Sequence, residues 1–135
     1  MNKARKKMNA EQLFREMFHT IWQRHDIEKL DHYYAKNFEQ TLGMVNKNGE
    51  VVEVKMHYDY MVEQAVLQKE NYRDTTLDIK KTIVNDDNHI AINFYSCSIH
   101  KKTGEPCYRY VCGIWRFNHE NKIDRVWAVV TPWSS

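Results

Sequence analysis

The chain has 135 residues, a formal net charge of +2, 42% hydrophobic residues and 13% aromatic residues. This length fits one domain with a sizeable core, and the aromatic content excludes a disordered chain, because disordered chains are poor in aromatic residues. There is neither a stretch of the roughly 18 uncharged apolar residues that a membrane helix needs nor a basic leader before an apolar run, so the sequence predicts a cytoplasmic protein.

Positive charge is concentrated at the N-terminus, where residues 1–9 hold four basic residues and no acid: Lys3, Arg5, Lys6 and Lys7. Their combined charge exceeds the net charge of +2, so the rest of the chain is mildly acidic. A basic tail can contact nucleic acid or an anionic surface, but a mildly acidic body argues against a nucleic-acid-binding domain. We expect a frayed tail over 1–9, one domain over 10–135, no nucleic-acid partner and no membrane partner.

Helical periodicity opens the domain. A first helix is predicted over about 10–24, with Asn9 and Gln12 forming a capping box. Asp26 is predicted to cap a second, shorter helix, and a third helix is expected over about 55–70. The predicted apolar stripes are Leu13, Phe14, Met17, Phe18, Ile21 and Trp22 on the first helix; Ile27, Leu30, Tyr33 and Tyr34 on the second; and Tyr58, Met61, Val62, Ala65 and Val66 on the third.

The remaining sequence alternates with a period of two, which is typical of strands. A short strand is expected over 38–45, and Asn48-Gly49 is predicted to form a tight turn after it. From Arg73 onward we expect four strands in a meander, with the last three over 89–100, 108–117 and 123–130, and Pro132 ending the last because it has no amide donor. Three helices followed by such a meander are an α+β order, with the helices on one face of the sheet.

Few residues suggest chemistry on their own. Cys97, Cys107 and Cys112 are an odd number without C-x-x-C spacing, which argues against a disulfide framework and a structural zinc site. Cys97 and Cys112 could face each other across a hairpin, but we favour free buried thiols in a reducing compartment. The histidines lack metal-binding spacing, and there is no Gly-rich phosphate loop or G-x-S-x-G motif, so neither a metal nor a cofactor is predicted.

Three segments carry a family resemblance: the helical hairpin with Asp26 at its corner, Asn48-Gly49 leading into HYDYMVEQ at 57–64, and GIWRFNHENKIDRVWAVV at 113–130. In these segments and in its element order, the chain resembles the nuclear-transport-factor-2-like superfamily, which includes ketosteroid isomerases and SnoaL-like polyketide cyclases. The resemblance implies a cystatin-like roll, in which a cone-shaped, strongly curved mixed or antiparallel sheet is closed by three helices around an apolar pocket. It also implies a homodimer through the convex sheet face.

The alternation of the strand at 108–117 fits a covered outer face. Val111, Gly113, Trp115 and Phe117 share one face, and the opposite face, with Tyr110, Cys112, Ile114 and Arg116, is also rather apolar. A solvated sheet face is normally polar, so we expect a partner subunit to cover the second face.

The resemblance also implies where catalytic acids should stand. In the ketosteroid isomerases a tyrosine, a carboxylate base and a protonated acid act together, and their positions fall at Phe18, near Leu42 and at Gly113. In the cyclase-like and epoxide hydrolase-like relatives an acid follows the tryptophan of the last strand, and that position falls at Ala128. None of the four residues is an acid, so we do not expect the proton transfers of these relatives.

We therefore predict a small-molecule-binding domain for a compact apolar or aromatic ligand. The residues expected to line its pocket are Phe18, Trp22, Tyr34, His57, Tyr58, Met61, Phe94, Ser96 and Trp115. The first alternative is an isomerase, dehydratase or cyclase in which His57 or a tyrosine acts as a non-standard acid or base, although His57 also fits a helix-start histidine bonded to backbone or water. Ser96 likewise fits either the cavity or the core. The second alternative is a homodimeric protein-interaction module that uses the exposed sheet face.

Overall fold

A computed structural model describes residues 9–85 and 88–131. The predictions for the basic tail and for Pro132 lie outside the described residues. The helices are α1 (Ala10–Met17), α2 (Leu30–Tyr33) and α3 (Tyr58–Asn71). A π-helical segment, Phe18–Gln23, extends α1, and a 3₁₀ turn, Ile27–Lys29, precedes α2. No helix in the described ranges is both long enough and apolar enough to span a membrane.

Seven strands form one open, mixed sheet. They are β1 (Tyr34–Val45), β2 (Val51–His57), β3 (Tyr72–Arg73), β4 (Asp78–Asn85), β5 (His89–His100), β6 (Pro106–Phe117) and β7 (Ile123–Val130). The order across the sheet is β2-β1-β7-β6-β5-β3, and β4 also pairs with β5. The β1–β7 pair is parallel and all other pairs are antiparallel. The predicted α+β architecture, with helices closing one face of a mixed sheet, is confirmed.

The largest differences from the prediction lie at two helix–strand boundaries. Strand β1 begins at Tyr34, four residues before the predicted start, and β2 continues through His57, so α3 begins at 58. In β2, Met56 is buried between exposed neighbours, which is the period of a strand. Residues 55–57, which were predicted as the first turn of a helix, are therefore a strand because they pair with β1.

The helix starts follow the prediction in one case only. The Asn9 side chain accepts a hydrogen bond from the Gln12 amide at 2.9 Å, and the Gln12 side chain accepts one from the Asn9 amide at 3.1 Å, so the capping box is confirmed. The prediction for Asp26 is wrong, because its side chain makes no cap hydrogen bond. Instead it accepts one from Arg24 Nε at 3.3 Å.

The core between α1 and the sheet is an aromatic cluster of Phe14, Phe18, Phe94 and Trp115. Its ring centroids lie 5.1 to 6.4 Å apart, mostly in tilted or edge-to-face arrangements. All four side chains are buried. Such pairs add to the free energy gained by burying their area, so this cluster fixes how the first helix sits on β5 and β6.

The cysteine prediction holds for the absence of a disulfide and fails for burial. All three thiols are free. Cys97 pairs in register with Tyr108, and Cys112 pairs with Asn93, so the two cysteines do not face each other across the β5–β6 hairpin. Cys112 is exposed and the other two are half-buried, because strand alternation turns Cys112 to the outer side of the sheet.

His25, at the corner of the helical hairpin, has an unfavourable backbone conformation and an unfavourable side-chain environment. Its φ of +58° lies in the left-handed region, and neither ring nitrogen, although buried, has a hydrogen-bond partner among the described residues. Burial, followed by the charges of Lys101 and Lys69, lowers the pKa of His25 below its usual 6.5. Because the unfolded state then binds a proton more readily than the folded state, His25 makes the fold less stable as the pH falls through about 6.5.

Replacing His25 with glycine is therefore expected to raise the free energy of unfolding by about 1 kcal/mol, since it removes both the backbone strain and the unpaired buried nitrogens. This gain in the free energy of unfolding should be larger at about pH 5 than at about pH 8. Urea unfolding at the two pH values would measure it. Asn121→Gly is the matched control, because Asn121 has a φ of +61° but an exposed side chain. An equal, pH-independent gain in both variants would contradict the role given to the imidazole.

Candidate functional site

One cross-strand row on the helix-covered face of the sheet contains three of the positions where the resemblance implies acids. Leu42 lies opposite Ala128, Ala128 lies opposite Gly113, and Gly113 lies opposite Ile92. We call these four residues the inner row. Strand register thus brings together residues far apart in the sequence, and none of them is an acid. The fourth position, Phe18, is near one end, since its ring centroid is 5.6 Å from that of Phe94, two residues along β5 from Ile92.

Buried aromatic residues pack beside the inner row, and we call this group the aromatic floor. Phe18, Phe94 and Trp115 are in mutual contact through the cluster around Phe14, and Met61 is also buried. These side chains were predicted to line a pocket, and the structure brings them together beneath α1 and α3.

Tyr34 and Trp22 meet on the same side of the core. The Tyr34 side chain is 2% exposed. Its hydroxyl donates to Met17 Sδ at 3.5 Å, and Trp22 packs against the same core. Burial raises the pKa of Tyr34 far above its ordinary value of 10.0, so the phenol stays neutral. The Tyr34 hydroxyl is therefore a buried polar group whose hydrogen is already donated within the protein.

Half-buried apolar side chains mark where the inner face approaches solvent. Leu42 and Val130 come from neighbouring strands, and Tyr58 and Val62 come from the first turns of α3, which contacts β1. We call these four residues the rim. All pack against the core while remaining partly exposed. The Lys36 ammonium lies 4.4 Å from the centroid of the Tyr58 ring, a cation–π contact that holds a positive charge beside it.

No protein-family model matches the sequence, and no curated protein matches it significantly. Solved structures do match. IdmH, a candidate polyketide cyclase from Streptomyces antibioticus, is 12% identical over 89% of this chain and 90% of its own, with a TM-score of 0.69. An NTF2-like protein from Burkholderia thailandensis is 13% identical over 93% and 92%, with a TM-score of 0.60. An LEH-like epoxide hydrolase from M. tuberculosis is 11% identical over 91% and 84%, with a TM-score of 0.60.

The chain has the nuclear-transport-factor-2-like fold. The predicted resemblance is confirmed at the level of the fold. At these sequence identities a shared fold does not assign an activity to this chain, so its chemistry has to be argued from its own residues.

Two residues predicted for the pocket lie elsewhere in the fold. His57 is exposed and follows the buried Met56, so the alternation of β2 points it away from the interior. Ser96 is buried, but its hydroxyl donates to the Thr76 carbonyl at 2.8 Å, which is the core role left open by the sequence. Among residues 9–85 and 88–131, no histidine is hydrogen-bonded to a carboxylate, and no three acid, histidine or cysteine side chains are grouped to hold a metal ion.

The outer face of the sheet has a concavity that the sequence analysis did not locate. Its volume is about 630 Å³, and it spans the strands from β2 to β4. Large apolar side chains are unusually exposed here, with Val129 at 60%, Ile114 at 42% and Trp127 at 41%. The signal in the sequence was the rather apolar second face of the strand at 108–117, where Tyr110, Cys112 and Ile114 alternate with the inner residues. The predicted apolar outer face is present, and its extent depends on strand order, which the sequence did not reveal.

Proposed function

We propose that this chain binds a compact apolar or aromatic molecule on the inner face of the sheet, at the rim and against the aromatic floor, without the acids used by catalytic relatives. The observation that carries the proposal is the inner row, where Leu42, Ala128 and Gly113 occupy the implied acid positions side by side. A site built from these residues offers contact area and no group that transfers a proton.

The rim offers apolar surface that a ligand can bury. Leu42, Tyr58, Val62 and Val130 are partly exposed in the free protein, so a ligand placed over them removes apolar area from water. The nearby Tyr34 hydroxyl is already engaged, since it donates to Met17. Shape and apolar contact therefore set the affinity more than hydrogen bonding does.

Two aspartate substitutions on paired strands test the location. With 1-naphthol as the probe, Leu42→Asp is expected to weaken binding in calorimetric titration by roughly tenfold or more, because it places a carboxylate in the apolar contact. Val129→Asp is the matched control, since Val129 pairs with Gly43, the residue after Leu42, and faces the outer side. Equal loss in both variants, or loss in Val129→Asp alone, would contradict an inner site.

A second proposal concerns the outer face, which we infer is covered by a second copy of the chain. The exposed Val129, Ile114 and Trp127 and the concavity between them support it, since a monomer rarely leaves such a patch bare. Sedimentation velocity should show a dimer for the wild-type protein and for Leu42→Asp, and a monomer for Val129→Asp. A wild-type monomer at micromolar concentration would contradict this proposal and leave the inner site untouched.

The enzyme alternative has less support. It needs a histidine or tyrosine placed to exchange a proton, whereas His57 points away from the interior and the Tyr34 hydroxyl is enclosed. An isomerase, dehydratase or cyclase with a non-standard acid or base thus stays a hypothesis, without a supporting contact in the described part of the chain.

A further inference from the structure

A single row of residues crosses the outer concavity from one side to the other. Its members, one on each of six neighbouring strands, are Glu53, Gly43, Val129, Cys112, Asn93 and Lys81. We call them the outer row, and every one of them lines the concavity. With neighbouring strands about 4.8 Å apart, the two ends of the row are about 24 Å from each other along the sheet.

The ends of the outer row carry opposite charges that are not neutralised within the chain. Neither the Glu53 carboxylate nor the Lys81 ammonium has an ion-pair partner among residues 9–85 and 88–131. By contrast, the charged side chains along one side of the apolar patch are paired within the chain. Arg125 donates to Glu39 at 2.6 Å, and Arg116 donates to both oxygens of Asp124 at 2.9 and 3.1 Å.

Symmetry restricts how a second copy can cover this face. Two identical sheets that pack face to face are related by a two-fold axis lying in the plane between them. Packing with the strands aligned allows that axis to run along the strands or across them. An axis across the strands places each residue of the row over the same residue of the other copy, so Glu53 would oppose Glu53. An axis along the strands reverses the row, so Glu53 opposes Lys81.

We propose that the two-fold axis of the homodimer runs along the strands, between β6 and β7, and that Glu53 of each copy pairs with Lys81 of the other. This inference rests on the proposed covering of the outer face by a second copy. Both ends of the row are then matched at once, and a single geometry forms two identical ion pairs.

The neighbouring row is compatible with the same geometry. It runs through Lys55, Thr41, Trp127, Ile114, Ala91 and Ile83. Reversal places each Trp127 over Ile114 of the other copy, each Thr41 over Ala91 and each Lys55 over Ile83. Large apolar side chains meet beside the axis, small side chains meet next to them, and the ends of this row carry no opposite charges. The exposed Trp127 is therefore the central contact, where interface energy is usually concentrated.

Charge reversal tests the axis. Glu53→Lys and Lys81→Glu are each expected to raise the dimer dissociation constant by roughly tenfold or more, because each creates two like-charge pairs. The double variant, Glu53→Lys with Lys81→Glu, should return to the wild-type value. An equimolar mixture of the two single variants should form heterodimers of near wild-type affinity. Equilibrium sedimentation measures all four, and Glu63→Lys and Lys69→Glu, on exposed positions of α3, are the matched controls.

The possible failures are distinguishable. A dimer that is insensitive to both single variants would overturn the axis and would leave the covered face intact. A protein that is monomeric throughout would overturn the dimer itself. Weakening in the single variants without recovery in the double variant would show that Glu53 and Lys81 do not pair, which also overturns the inference.

Discussion

Replacing Phe14 with alanine is expected to lower the free energy of unfolding by about 3–5 kcal/mol, the range for truncating a buried aromatic residue. Phe14 is 1% exposed. Its ring contacts each of the other three members of the cluster, at 6.2 Å from Phe18, 5.7 Å from Phe94 and 5.1 Å from Trp115 between centroids. Removing it leaves a cavity that rigid strands on one side cannot fill.

Urea unfolding followed by tryptophan fluorescence measures this loss, since Trp115 reports on the cluster. Tyr60→Ala is the matched control, because Tyr60 lies on α3 and is 37% exposed. We expect its effect to stay below about 1 kcal/mol. A loss for Phe14→Ala no larger than that of Tyr60→Ala would mean that the cluster does not hold α1 on the sheet.

The second large effect is expected at Gly113. A Cβ atom added there would lie 2.6 Å from the Trp127 carbonyl oxygen and 2.8 Å from the Ala128 Cβ. The first contact is with backbone, which cannot rotate away, so Gly113→Ala should destabilise the fold by about 1–3 kcal/mol. Gly43→Ala is the control, since its added Cβ would meet nothing closer than 3.5 Å. Thermal unfolding of both variants should show a change close to zero for Gly43→Ala, and equal losses would contradict the steric account.

Gly113 links stability to function. The same closeness of β6 and β7 that excludes a methyl group excludes any acidic side chain at this position without a shift of the strands. The position implied for the protonated acid of the isomerases is therefore closed to it here. Any side chain larger than a hydrogen atom at Gly113 would therefore require β6 and β7 to move apart.

The alternation of apolar and polar residues was enough to predict strands whose ends are set by the local sequence. The bounds of β5 and β7 were predicted as observed, because in both cases a long alternation begins directly after a polar turn. Tyr34 and Met56 could not be assigned in this way. Tyr34 fits the apolar stripe of the predicted second helix, and Met56 falls within the bounds predicted for the third. Pairing within the sheet, including the parallel contact of β1 with β7, places both in strands. The π-helical segment was also missed, since its altered hydrogen bonding leaves no mark in apolar spacing.

The candidate site was predictable only as a set of residue types. Phe18, Leu42, Gly113 and Ala128 were selected through a resemblance, and nothing in the sequence shows that the last three share one row. That arrangement depends on the registers of β1, β6 and β7 together. The same limit applies to the outer face, where Glu53 and Lys81 lie on the flanking strands β2 and β4 and become ends of one row only after the sheet is assembled.

The inner ligand site is tested most directly by methyl-resolved NMR of the wild-type protein titrated with 1-naphthol. Methyl resonances of Leu42, Val62 and Val130, which belong to the rim, are expected to shift with one saturating transition. Those of Ile114 and Val129, on the outer face, should stay unchanged. Shifts confined to Ile114 and Val129, or no saturable shift at the rim, would contradict the proposed function.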